Sequence, residues 1–176
     1  MATYERSTRV RAPLEDVWDF HSRTVGLEAL TPSWMGLRVE AVIGPDGERN
    51  PDLLEAGSEV DLSIRPFGVG PRQHWTSLIT DREERPGRAS FTDEMIHGPF
   101  DTWIHTHAFF ADGEETIIRD HVEYELPYGG LGTVATPFSV VGFEGMFRER
   151  HQRTTEALEG GSSDAVEVEI ESGDGM

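Results

Sequence analysis

Two histidines one residue apart, His105 and His107 in the run from Trp103 to His107, are the residues whose type and spacing could do chemistry in this sequence. On a strand, side chains two residues apart share a face, so both imidazoles would point the same way. Asp120, in the segment expected to form the next strand, falls on a matching face. Two imidazoles and a carboxylate make a donor set for a divalent metal. A carboxylate fixing the tautomer of an imidazole is also the pairing that general acid–base chemistry uses. Against both stands an ordinary structural role, in which the carboxylate satisfies a buried imidazole. With no fourth ligand, no nucleophile and no second positioned acid in view, the expectation is a hydrogen-bonded polar wall with no metal. His105, His107 and Asp120 remain the candidates for catalysis. Asp93 is the available second acid, although beside Glu94 it also reads as a strand-end or turn residue.

The elements that must position these groups follow from periodicity and punctuation. Thr3–Ala12 alternates as a first strand and Pro13 ends it, opening a short helix to about His21, with Glu15 and Asp16 in its first turn. A second short helix spans Thr24–Leu30 and stops before Thr31-Pro32. Six strands are then expected at Leu37–Ile43, Ser58–Pro66, Gln73–Arg82, Arg88–Ile96, Thr102–Phe110 and Thr116–Leu126, separated by Gly, Pro and Asp signals. Thr136-Pro137 reads as the cap and first residue of a long helix whose Val140, Phe143, Phe147, His151, Thr154 and Leu158 form one stripe, closing at Gly160-Gly161. Residues 161–176 read as a disordered acidic tail, with Val166–Ile170 the alternative of an added edge strand. Residues 1–160 are one domain.

Composition removes several function classes. The 176 residues carry 15 basic side chains, every one of them Arg, against 33 acids, a net charge of −18. That field repels a phosphate backbone, so a nucleic-acid partner is not expected. Acid enrichment without a single lysine is the pattern of adaptation to multi-molar salt, and a salt-dependent fold is expected, which circular dichroism in low and high potassium chloride checks. With 36% hydrophobic residues and nine Phe the chain holds a real core. It has no cysteine, which excludes disulfides, thiolate metal sites and a cysteine nucleophile. The first ten residues lack a signal peptide's apolar core, and the uncharged run Leu126–Phe143 is too broken by Gly and Pro to span a membrane. A cytoplasmic protein, monomeric or weakly dimeric, is expected. Gly129, Gly130 and Gly132 form no phosphate loop, because no Lys-Ser/Thr follows.

The order strand, two short helices, six strands, long helix is an α+β arrangement in which a curved antiparallel sheet of about seven strands wraps the last helix and leaves a cavity between them. Several segments in this order carry a resemblance: Ala12-Pro13-Leu14-Glu15-Asp16-Val17-Trp18, Leu30-Thr31-Pro32, Trp75, Phe91-Thr92-Asp93, His97-Gly98-Pro99-Phe100, Trp103 to His107, and Asp120 to Gly132. Over residues 1 to about 160 the chain resembles the START-like helix-grip superfamily (SRPBCC), in its polyketide cyclase/dehydrase and coenzyme Q-binding-like branch. The resemblance implies a cavity for an apolar or amphipathic small molecule and no fixed cofactor, and names no reaction, since such folds host carriers and enzymes alike.

Taking Ile118, Asp120, Val122, Tyr124 and Leu126 as inward on the last strand, and Trp103 and Phe109 as inward on the one before, gives the expected pocket. It comprises Trp75, Phe91, Asp93, Met95, Trp103, His105, His107, Phe109, Asp120 and Tyr124, with Phe143, Phe147 and His151 from the long helix. Ser77 and Ile79 join the same wall. Trp34, Met35 and the Phe67–Gly70 segment are candidates for its mouth, and Met146 for its lid. Arg148, Arg150 and Arg153 are expected to pair on the surface with Glu144, Glu149 and Glu156. Three functions are open: binding of a lipid-like or polycyclic molecule, which leads; a cyclase/dehydrase-type enzyme; and a partner-binding domain, on the subgroup's resemblance to proteins described as cell-division inhibitors.

Overall fold

A computed structural model describes residues 1–127 and 130–164, with side chains of the last helix described over 142–160. The elements run β1 (Ala2–Val10), α1 (Leu14–His21), α2 (Thr24–Leu30), β2 (Arg38–Ile43), β3 (Glu59–Ile64), β4 (Gln73–Arg85), β5 (Arg88–His97), β6 (Thr102–Asp112), β7 (Glu115–Glu125) and α3 (Gly130–Asp164). Seven strands make one sheet in the order β1-β7-β6-β5-β4-β3-β2, and every pair is antiparallel. Strands β2 to β7 form a meander of neighbours. α1 and α2 carry the chain from β1, on one edge, to β2, on the other.

Local chemistry sets these boundaries. Pro13 sits just outside α1, at φ −59° and ψ 150°, rather than in its first turn. Thr31, ahead of Pro32, is extended at ψ 129° and ends α2, as crowding by the proline ring requires. Gly26 lets α2 fold tightly back on α1, since a Cβ there would lie 1.9 Å from the Phe20 carbonyl oxygen. The β4–β5 and β6–β7 hairpins turn on Gly87 (φ +74°) and Gly113 (φ +68°), conformations that L side chains rarely take.

α3 differs from expectation at both ends, beginning at Gly130 rather than Thr136 and continuing past Gly160-Gly161 to Asp164. Glycine inside a helix costs only about 1 kcal/mol and so permits a stop without enforcing one. The expected tail therefore loses its first residues to the helix. Its alternation at Val166–Ile170 lies outside the described residues.

The core has two apolar clusters. One gathers Val10, Val17, Trp18, Phe91, Phe109 and Ile118 where α1 covers the sheet; the other gathers Tyr4, Val122, Tyr124 and Phe147 under α3. Tyr4 stacks on Phe147 with ring centroids 5.3 Å apart, and its hydroxyl donates to Glu144 Oε2 at 2.8 Å. Arg6 pairs with the same carboxylate, and the Arg11 backbone N–H donates to Glu159 Oε1 at 2.8 Å. Along its described length α3 is thus strapped to β1. Glu144 points to β1, while Glu149 accepts from Arg153 and from Trp34 Nε1.

Candidate functional site

The polar groups of the sequence reading meet where the two clusters join. His107 stacks on Phe91 of the first cluster (4.1 Å, 20°) and His105 meets Phe147 of the second edge-on (5.2 Å, 86°), so apolar rings bracket the pair. The imidazoles themselves lie 3.7 Å apart between centroids. Strand register supplies the carboxylates: Asp93 on β5 is directly opposite His105, and Asp120 on β7 directly opposite His107. The hydrogen bonds run on the diagonals, where long side chains still reach each other. His105 Nε2 donates to Asp120 Oδ1 at 2.8 Å, and His107 Nε2 lies 3.3 Å from Asp93 Oδ1. His107 Nδ1 is 3.0 Å from Asp120 Oδ1, off the direction of a hydrogen bond, and His105 Nδ1 is 3.7 Å from Asp93 Oδ1. From α3, His151 Nε2 reaches Asp120 Oδ2 at 2.5 Å, and from β4, Ser77 Oγ donates to Asp93 Oδ2 at 2.7 Å.

Burial would raise the Asp120 carboxyl, but the imidazoles of His105, His107 and His151 against it outweigh that and hold the group well below the usual carboxylate range. Asp93 is also lowered, burial again being overcome, chiefly by His107 and then by the charge of His105. The imidazoles split. Burial and then the neighbouring His107 push His105 down, while for His107 the burial penalty is overcome by Asp120 and Asp93, which raise it.

These groups form part of the wall of a cavity of about 330 Å³ between the sheet and α3. Trp75, Phe91, Asp93, Met95, Trp103, His105, His107, Phe143 and Phe147 line it, as do Ser77, Ile79, Met35 and Met146. Four expected pocket residues do not. Phe109 is fully buried against Trp18 and His21, and Tyr124 packs inside the second cluster against Phe143 and Phe100. Asp120 and His151 stand behind the wall, Asp120 holding His105 and His151 holding Asp120 in turn. A shared strand face does not place every residue on one cavity: no residue of β7 lines it, and on β6 the wall stops at His107. At the expected mouth, Phe67 is 76% exposed, has φ +54° and stacks on Trp34 at 5.1 Å; neither ring lines the cavity.

Of the lining residues outside that expectation, two are titratable. Arg150, expected on the surface, turns inward: it lines the cavity, its Nε is buried with no hydrogen-bond partner among the described residues, and burial lowers its pKa against the pull of Asp120 and Asp93. The helical spacing to its glutamates does not reveal which face a residue takes. Arg153 and Glu149 do pair as expected. The other is His21 on α1, 4% exposed, with Nδ1 unpartnered among the described residues and Nε2 3.4 Å from Thr154 Oγ1.

Burial, then the charge of Arg150, hold His21 well below its ordinary value, with His107 and His151 adding and Asp120 opposing. The unfolded chain takes up this proton below about pH 6.5 and the folded chain does not, so this contribution is complete above that pH and falls by about 1.4 kcal/mol per pH unit below it. His21→Phe is expected to remove this share of the acid sensitivity. Urea unfolding at pH 7.5 and 5.5 checks it, and an unchanged pH difference in the variant would contradict the assignment.

No protein-family model matches the sequence, and no curated protein matches it. Solved structures do. TTHA0849 from Thermus thermophilus superposes with a TM-score of 0.65 at 17% identity, over 92% of this chain and 99% of that one. Norcoclaurine synthase from Thalictrum flavum, in complex with dopamine and hydroxybenzaldehyde, gives 0.64 at 16% identity, over 90% and 87%. A nucleoside-diphosphate sugar epimerase from Corynebacterium glutamicum gives 0.59 at 21% identity, over 93% of this chain and 30% of that one. At these identities the likeness is one of architecture, and it agrees with the seven-stranded antiparallel sheet, the paired short helices and the long C-terminal helix: this chain has the helix-grip fold.

Proposed function

We propose that this protein binds an amphipathic small molecule, lipid-like or polycyclic, in the cavity between the sheet and α3. The observation that carries the reading is the cavity itself: about 330 Å³, walled mainly by aliphatic and aromatic side chains, with a cluster of mutually paired polar groups on one wall. Both volume and composition are those of a small-molecule site. Ring stacking on Trp75, Trp103 and Phe143 suits a flat apolar body, and Arg150 with its unpartnered Nε suits an oxygen-bearing or anionic head. Norcoclaurine synthase, of the same fold, is seen with dopamine and hydroxybenzaldehyde, which supports an aromatic occupant here. Among the described residues no helix is long and apolar enough to cross a membrane. The setting we assign is the cytoplasm of a salt-loving cell, on the acidic, lysine-free composition.

Mass spectrometry of an organic extract of the purified protein tests the reading. Ile64 lines the cavity from β3, and Ile64→Trp fills part of it. A stoichiometric molecule is expected from the natural sequence and not from the variant. Equal extracts from both would remove cavity binding.

A second reading, a cyclase/dehydrase-type enzyme, is favoured by one observation: His105 and His107 face the cavity with carboxylate partners to fix their protons. Under it, His107→Gln abolishes conversion of the extracted molecule while binding persists; unchanged turnover would exclude His107 as the proton carrier.

A further inference from the structure

We infer that Asp93, His105 and His107 form a binding site for a divalent first-row metal ion, zinc or iron(II), with its open coordination position facing the cavity. Three ligand atoms of a tetrahedral ion bound at about 2.1 Å stand roughly 3.4 Å from one another. Here Asp93 Oδ1 lies 3.3 Å from His107 Nε2 and 3.7 Å from His105 Nδ1, and the ligand atoms of the three residues all fall within 4.8 Å of one another. The set comes from two neighbouring strands with Asp93 and His105 in direct register, so main-chain pairing fixes its spacing.

The groups behind the triad are arranged as metal ligands require. A ligating imidazole must offer a lone pair from one nitrogen and hold its proton on the other, usually against a carboxylate. Asp120 stands in that position for His105, whose Nε2 donates to its Oδ1 at 2.8 Å, and His107 Nδ1 lies 3.0 Å from the same atom, near it but off the direction of a hydrogen bond. This leaves His105 Nδ1 and His107 Nε2, the two nitrogens nearest Asp93, free to coordinate. Ser77 Oγ holds the other oxygen of Asp93 at 2.7 Å, and His151 holds the other oxygen of Asp120 at 2.5 Å. Asp93, His105 and His107 line the cavity and Asp120 does not, so the fourth position opens toward the cavity. The carboxylate ligand is Asp93, and Asp120, the third ligand suggested by sequence, orients His105 and stands beside His107.

The inference shares the cavity of the binding reading without resting on it, and a titration with the metal alone lets the two fail separately. The chelator-stripped full chain is titrated with zinc by calorimetry, and the imidazole nitrogens are followed by NMR. One equivalent is expected to bind, shifting His105 Nδ1 and His107 Nε2. Asp93→Asn, which keeps the size of the side chain, is expected to weaken binding at least tenfold, and Asp120→Asn by about 10- to 100-fold. His121→Gln removes a half-buried histidine beside Glu5 and Glu123, a place for adventitious zinc, and should leave the affinity unchanged. The inference is overturned if no saturable equivalent binds, if zinc leaves the His105 and His107 resonances in place, or if His121→Gln abolishes the binding. The NMR readout needs no variant, so a poorly folding Asp93→Asn chain would not obscure the result.

Discussion

Asp120→Ala is expected to destabilise the protein by about 3–5 kcal/mol, the range found when one partner of a buried charged pair is removed. Asp120 is 1% exposed and accepts hydrogen bonds from His105 on the neighbouring strand and His151 on α3, with His107 against the same oxygen. Alanine strands these imidazole N–H groups in a place water does not reach, and each orphaned donor costs about 1–3 kcal/mol. It also cuts the polar link by which α3 is held to the middle of the sheet. Asp120→Asn should cost less. Its amide oxygen can still accept from His105, but its NH2 group meets His151 Nε2, and the ring must then move its proton to Nδ1, which has no partner among the described residues. Urea unfolding of both variants near pH 8, where the carboxylate is charged and free histidine neutral, checks the order. A loss under about 1 kcal/mol for the alanine variant would mean that the three contacts contribute little.

What the sequence disclosed about this site was its faces, and what it withheld was its register. Alternation along β7 marks Ile118, Asp120, Val122 and Tyr124 as one face, and these are buried. It leaves open which residue of β6 stands opposite Asp120, and the chemistry depends on that: the diagonal pairs Asp120 with His105 and Asp93 with His107 arise only because β5, β6 and β7 align as they do. Asp93 reads equally well as a turn residue, because a strand's interior and its end are both compatible with an acid beside Glu94. In the fold it lies inside β5, with Ser77 bonded to it. Arg150 escapes a sequence reading for a related reason. Helical periodicity places it between the apolar stripe and the charged face, and only the cavity under α3 decides for the former. The element order needed none of this, since Pro and Gly punctuation and strand length are local properties.

Phe147→Ala should separate the stability of the fold from the capacity of its cavity. Phe147 is 1% exposed, stacks on Tyr4 at 5.3 Å, meets His105 edge-on at 5.2 Å and also lines the cavity. Truncating a buried Phe costs about 3–5 kcal/mol, through lost transfer energy and the void left behind. In a domain of this size that lowers the melting temperature by roughly 6–20 °C. The void here opens onto an existing cavity, so it can be filled by a ligand rather than only by collapse. The extract of the variant is therefore expected to hold the same molecule or a bulkier one, with a larger rise in melting temperature on adding it back than the natural sequence shows. Phe67→Ala is the control: this ring is 76% exposed, and its loss should change stability by no more than about 0.5 kcal/mol. Equal melting temperatures for Phe147→Ala and Phe67→Ala would show that α3 is not held to the sheet by this ring. A variant destabilised as expected but no longer retaining any molecule would show instead that Phe147 grips the ligand directly, and that the enlarged space is not an accommodating one.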